Sequence, residues 1–438
     1  MDSNEDNERN ASPEAVLEKP PAEEGENSDE KNNYYDFRSF LNIMRNPKTE
    51  PIVKYTKSFI RNFVSQKSNW STTEQEKLIT DFKLFIYDKL VTNDAFKDLD
   101  AAQIRNAKEG IEKLVMGKLY DKCFSPCLQE YKQNIDATHK QDLVDDVKLR
   151  DKILEFKFLG PEHLDILPGL INCKLNSFIQ LSAKELAKIN QYKSPRDKMV
   201  CVLNSCKVLF ALLRHNKTLN GGADHFVPLL IFTLLKSDVR HLISNVRYIE
   251  RFRFPSFLMG ENAYYLSTLQ GAINFILDID RDSISILESD EEFEKNYTEN
   301  QEKVKELRNQ DLRSFKNPSS IASPHQTISP SPSEFILKPL DDAASSVLSR
   351  LNDFWTSSAS PTPSSLESDE RSPRDHQEID ETTATALAQQ MEHMEHENTL
   401  QTLQSMFPDL DPELIQDVCI ASKYRVGVCV DSLLEMLD

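Results

Sequence analysis

Glycine is scarce in this chain, at 10 of 438 residues. Loops that cradle phosphate need clustered glycines, so that backbone amides can come close to the anion. The only adjacent pair, Gly221-Gly222, runs into Ala223-Asp224 and not into Gly-Lys-Ser/Thr. A P-loop or a dinucleotide-binding turn is therefore excluded. Long apolar runs are missing too. The longest, Val227 to Leu235, has nine residues and includes Pro228 and Thr233, whereas a membrane helix needs about 20. The first thirty residues are acidic and hold no apolar segment, which argues against a secretion signal. The cysteines are scattered at 123, 127, 173, 201, 206, 419 and 429, with no CxxC pair and no zinc-ligand spacing from histidine. They read as buried thiols of a reducing compartment. The expectation is a cytoplasmic protein with no transmembrane segment, no cofactor, no metal and no nucleic-acid partner.

Mean hydropathy is -0.52 and the formal charge is -19, so part of the chain buries too little apolar surface to fold. The charge is unevenly spread: residues 1–33 carry -8, 286–397 carry -13, 398–438 carry -5, and the middle, 34–285, carries +7. Residues 1–33 read as a disordered acidic tail. Residues 286–397 read as a mostly disordered acidic linker rich in Ser and Pro, with Ser-Pro pairs starting at 323, 329, 331, 360 and 372. One apolar cluster interrupts it, from Phe335 to Trp355, and reads as a short docking helix.

The middle is helical. Ser71-Thr72-Thr73-Glu74 is a capping box, followed by Leu78, Phe82, Phe85, Ile86 and Leu90 on one helix face. Ser194-Pro195-Arg196-Asp197 supplies an N-cap, a first-turn proline and a first-turn acid. Val227–Leu235 is apolar nearly all round and predicts a central buried helix. The last helix spans about Glu261 to Asp278, with Tyr265, Leu269, Ala272, Ile273 and Ile276 inward. The fold class is all-α, with helices in layers. None of the middle segment's histidines is spaced beside an evident nucleophile.

Three stretches in order carry a resemblance. Gly221-Gly222-Ala223-Asp224-His225-Phe226-Val227-Pro228-Leu229-Leu230 is followed by Leu242 to Arg253, then by Gly260-Glu261-Asn262-Ala263-Tyr264-Tyr265-Leu266-Ser267-Thr268-Leu269. Together they resemble the VPS-nine family of guanine nucleotide exchange factors, which act on Rab GTPases of the early endosomal subgroup. Upstream, Arg45 to Lys48, Ile52 to Ile60 and Lys118 to Phe124 look like that family's preceding helical bundle. The resemblance implies a bundle at 34–140 packed on an exchange domain at 141–285. It also implies a regulator with no covalent chemistry. Asp224 would be the acidic group that enters the GTPase's phosphate site, with Pro228, Tyr264 and Ser267 beside it. The residues alone leave a second role open for Asp224, as a helix N-cap. For Pro228 the alternative is a first-turn helix proline, and for Asn245, Arg251 and Arg253 it is scaffolding, with the arginines pairing Glu250 or Glu261.

Near the end, Leu403-Gln404-Ser405-Met406-Phe407-Pro408 and Ser432-Leu433-Leu434 resemble a CUE domain, a small three-helix ubiquitin-binding bundle at 398–438. Asp411-Pro412-Glu413 caps its second helix. Leu400, Leu403, Leu414, Ile415, Val418, Val430 and Leu437 are its core candidates. The resemblance makes Met406, Phe407, Pro408, Leu433 and Leu434 the patch that meets ubiquitin or ubiquitinated cargo. A unit this short has little core, so pairing into a homodimer through it is expected as an alternative arrangement. The combined expectation is exchange on an early endosomal Rab, coupled to ubiquitin binding in endosomal and vacuolar transport, with peripheral recruitment to endosomes. The rival is a non-catalytic adaptor that binds a GTPase and ubiquitin.

Overall fold

The structure is a computed structural model that describes residues 35–66, 70–130, 135–171, 174–215, 223–280, 284, 290–316, 393, 396–397, 399–408 and 410–436. The acidic tail, the Phe335–Trp355 cluster and the Ser-Pro pairs lie outside these residues. Among the described residues there is no strand. The architecture is all-α, as the periodicity predicts.

The first layer holds α1 (Phe37–Met44), α2 (Glu50–Val64), α3 (Thr72–Thr92), α4 (Ala101–Cys123) and the short α5 (Ser125–Glu130). The capping box forms at Ser71, whose side chain accepts from the Glu74 amide while Glu74 accepts from the Ser71 amide. Gly110 of α4 faces Phe40 of α1, and a Cβ placed there would lie 2.4 Å from the Phe40 ring. Only a residue without a side chain lets these helices approach so closely.

The second layer holds α6 (Ala137–Phe156), α7 (Leu175–Ala187), α8 (Pro195–His215), α9 (Ala223–Lys236), α10 (Leu242–Phe252) and α11 (Glu261–Asp278). The observed limits of α11 are those expected. The Asp197 amide donates to the Ser194 hydroxyl at the start of α8. In α9, Phe226, Leu229, Leu230, Leu234 and Leu235 are all fully buried, as an apolar circumference requires.

Helix α10 joins the layers. Its Val246 and Ile249 belong to the second-layer core, whereas Tyr248 and Phe252 pack into the first, beside Tyr120 and Phe124. The seam is sealed by buried charge. Glu112 accepts from Lys83 at 3.0 Å, from Arg253 at 2.6 Å and from the Phe254 amide at 2.8 Å. Arg253 also reaches Glu109 at 3.1 Å, and Glu109 binds Arg196 at 2.6 Å. Lys83 donates as well to the Phe252 carbonyl, the last residue of α10.

A further helix, α12 (Asp290–Lys316), lies within the stretch expected to be mostly linker. It packs on α6 through Tyr297, whose ring lies 5.6 Å from Phe156, while Phe293 meets Phe158 just past α6; Arg308 sits on Asp151 at 2.6 Å and Asp311 on Arg150 at 2.9 Å. Its charged composition hid it, because the apolar positions are few and the ionic partners are remote in sequence. The C-terminal module is three helices, α13 (residues 399–406), α14 (Pro412–Ala421) and α15 (Val426–Glu435). Asp411 caps α14 by accepting from the Glu413 amide. Leu403, Ile415, Val418 and Val430 are buried, but Leu414, expected in the core, is exposed. It is the neighbour of Ile415, and the face that Ile415 and Val418 define turns Leu414 outward.

Two outcomes test this account. Removing one partner from a buried charge cluster leaves the others uncompensated, at a cost of about 3–5 kcal/mol. Glu112→Gln should lower unfolding free energy by that amount in urea titration. Burial alone would raise the Asp197 carboxyl, but Lys113, Arg196 and Ser194 hold it at about 2. Because the folded value lies below the ordinary 3.8, the stabilisation of about 2 kcal/mol is present above pH 4 and is lost as pH falls toward 2. The stability gap between the wild type and Asp197→Asn should close over that acid range.

Candidate functional site

Asp224 stands in the first turn of α9 and is exposed. It is the second helical residue, so it lies inside the helix and not at the N-cap position that the residues alone left open. Among the described residues no hydrogen bond or ion pair holds its carboxylate. The helix supplies a partial positive charge at this end, which favours an acid there. Pro228 is the sixth residue of α9, past the first turn. Its nitrogen has no hydrogen to give the Asp224 carbonyl one turn back, so the turn that carries Asp224 lacks one helical hydrogen bond. From Phe226 on, α9 is locked into the core.

Aromatic packing ties this end of α9 to α8 and α11. Phe226 stacks on Phe210 at 4.2 Å, and Phe210 lies 5.6 Å from Tyr265 and 6.4 Å from Tyr264. Asp224, Pro228 and Tyr264 are thereby brought to one end of the α8–α9–α11 layer. Gly260, just before α11, adopts φ +58°, a left-handed conformation that favours glycine. Ser267 is exposed, and its hydroxyl donates to the Tyr264 carbonyl at 2.9 Å, as does Thr268 at 2.8 Å. The Tyr264 hydroxyl is turned inward and buried, with no well-aligned hydrogen-bond partner among the described residues; burial raises its pKa, against the pull of the nearby Thr268 hydroxyl. Of the two residues expected beside Asp224, Ser267 thus presents its hydroxyl outward and Tyr264 inward.

The supporting polar residues find partners other than those expected. Arg251 binds Asp142 through both terminal nitrogens at 2.5 and 2.8 Å, and Arg247 joins the same carboxylate at 3.0 Å. Arg253 goes to Glu112 and Glu109. Glu250 instead takes Gln270, and Glu261 takes Lys207 at 3.3 Å. Asn245 donates to the His241 carbonyl and to Asn190, while its oxygen accepts from buried Lys198 at 2.6 Å, a scaffolding role. Lys198 has aromatic rings around it at 4.8 to 5.8 Å, a favourable setting for a cation.

One constellation was not legible in the sequence. His139 Nδ1 lies 2.8 Å from Ser125 Oγ, and Ser125 donates to Asp142 at 2.6 Å. The serine proton points to the carboxylate and not to the histidine, and His139 Nε2 is buried without a partner. The trio joins α5 to α6 and lacks the serine–base geometry of a nucleophile. Among the described residues no group of three His, Cys, Asp or Glu side chains is arranged to hold a metal, and no helix is long and apolar enough to cross a membrane.

In the C-terminal module, Met406, Phe407, Leu433 and Leu434 are buried, while Pro408 is exposed. The module rests on α7 and α8. Asp431 pairs with Arg214 at 2.8 Å, and Lys184 donates to Thr402 at 3.2 Å. A small three-helix core is thus completed by the larger layer.

Comparison with known proteins gives matches within both layers and in the C-terminal module. Residues 179–281 match the vacuolar sorting protein 9 (VPS9) domain, and residues 396–437 match the CUE domain. The chain carries a VPS9 domain followed by a CUE domain. Residues 54–120 match a domain of unknown function, DUF5601. Over 272 residues the chain is 42% identical to vacuolar protein sorting-associated protein vps901 of Schizosaccharomyces pombe, covering 62% of this chain and 46% of that protein. It is 36% identical over 269 residues to vacuolar protein sorting-associated protein 9A of Arabidopsis thaliana, covering 60% and 48%. It is 27% identical over 256 residues to a Rab5 GDP/GTP exchange factor of Homo sapiens, covering 58% and 49%. The chain spans about half the length of the curated relatives it matches.

Because the Tyr264 hydroxyl has no well-aligned partner, Tyr264→Phe should leave thermal stability unchanged or slightly raised. A marked fall in the melting midpoint would show that the hydroxyl supports the fold.

Proposed function

We propose that this chain is a guanine nucleotide exchange factor for a Rab GTPase of the early endosomal subgroup, with a ubiquitin-binding CUE module. The observation that carries the reading is Asp224: an exposed carboxylate, without a partner among the described residues, in the first turn of an otherwise buried helix and inside the VPS9 match. The names of the human and fungal relatives support it.

The mechanism is differential binding. A GTPase holds GDP through Mg²⁺, a P-loop lysine and phosphate-facing amides. An exchange factor accelerates release only by binding the emptied form more tightly than the loaded one. The Asp224 carboxylate repels the phosphates, disfavours Mg²⁺ and pairs with the lysine that GDP leaves behind. Ser267 and the outer edge of Tyr264 border the surface that receives the switch segments, and Pro228 shapes the turn between. No covalent step occurs. The CUE patch of Met406, Phe407, Pro408, Leu433 and Leu434 engages ubiquitin on cargo, which brings the chain peripherally to endosomes.

The full chain should speed fluorescent-GDP release from an early endosomal Rab. Asp224→Ala should reduce kcat/KM about 10- to 100-fold, the worth of one charged hydrogen bond, with the melting midpoint unchanged. Retained GTPase binding with GDP release at the intrinsic rate would make the chain an adaptor instead. Isotope-labelled ubiquitin should show signal broadening when the full chain is added; unperturbed signals would reject the ubiquitin assignment.

A further inference from the structure

The module's contact with the second layer uses the same faces that the proposed function assigns to ubiquitin. On α15, Gly427 and Asp431 are one turn apart, so they share a face, and Leu434 follows on it. Gly427 meets α8 so closely that a Cβ there would lie 2.9 Å from the Lys207 Cβ. Asp431 meets Arg214 on the same helix at 2.8 Å. On α13, Thr402 receives Lys184 of α7, and Met406 lies one turn further along the same face. Leu434 is 4% exposed and Met406 is 8% exposed. Ubiquitin needs these side chains uncovered.

We infer that the CUE face bearing Met406, Gly427, Asp431 and Leu434 is an interaction surface with two mutually exclusive occupants, the α7–α8 face of its own chain and ubiquitin. The inference rests on the ubiquitin reading above and adds its regulation. Burial raises the Asp431 carboxyl to about 6, against the pull of Arg214 and Lys207 and alongside Glu435, which marks the contact as one that excludes water. The closeness at Gly427 belongs to the docked contact: the three atoms nearest its Cβ position are all of the Lys207 side chain. Apparent ubiquitin affinity equals the intrinsic affinity reduced by the undocked fraction.

Two variants of the full chain test this in opposite directions. In Lys207→Cys/Gly427→Cys the Cβ positions lie 2.9 Å apart and must part by only about 0.6 Å to reach disulfide range, so oxidation should lock the docked form, with the bridge placed by peptide mapping. Labelled ubiquitin should bind the oxidised protein at least tenfold more weakly and regain affinity after reduction of the same sample. Arg214→Glu sets a like charge against Asp431 from the α8 side and leaves the CUE face unaltered, so it should undock the module and bind ubiquitin at least threefold more tightly than the wild type. Equal binding by the oxidised and reduced forms, failure of the bridge to form, or no gain in Arg214→Glu would overturn mutual exclusion. If neither redox form nor Arg214→Glu bound ubiquitin, the ubiquitin reading itself would fall.

Discussion

The buried carboxylate of Glu112 fixes the relation between the two helical layers. It receives Lys83 from α3 and, just past α10, both the Arg253 side chain and the Phe254 amide, so one acid on α4 ties down two other segments. A buried charge is tolerated only when its partners are in place, and the cluster therefore admits one register of the layers. At the other end of α10, Asn245 is held by Lys198, Asn190 and the His241 carbonyl. Pinned at both ends, α10 packs on α6, α8 and α11, and these three helices in turn hold α9, which carries Asp224.

The site combines a rigid base with a loosened tip. Phe226, Phe210 and Tyr265 lock α9 against its neighbours, while Pro228 withholds a hydrogen bond from the turn ahead. Under the exchange mechanism proposed above, a group that enters another protein's phosphate site benefits from this division.

Much of the fold was legible because helix grammar is local. The cap at Ser71, the Ser194-Pro195 start of α8, the apolar circumference of α9 and the limits of α11 all lie within a few residues of their causes. Pairings between distant segments carry no such signature. Arg251 chooses Asp142 over the nearer Glu250, and Arg253 chooses Glu112 and Glu109, because the fold brings those acids across the seam. The site shows the same division. The first-turn position of Asp224 follows from the apolar run just after it, whereas the inward turn of the Tyr264 hydroxyl depends on the side chains packed around it. The helix α12 is hidden in the sequence for a related reason, since its ion pairs with α6 span about 160 residues.

The contact between Gly110 and Phe40 bears on how mutation acts on this chain. Every amino acid other than glycine carries a Cβ, and a Cβ at position 110 collides with the Phe40 ring. No missense change in that codon is silent for the contact between α4 and α1. The position has no conservative replacement, even though it contributes no side chain of its own.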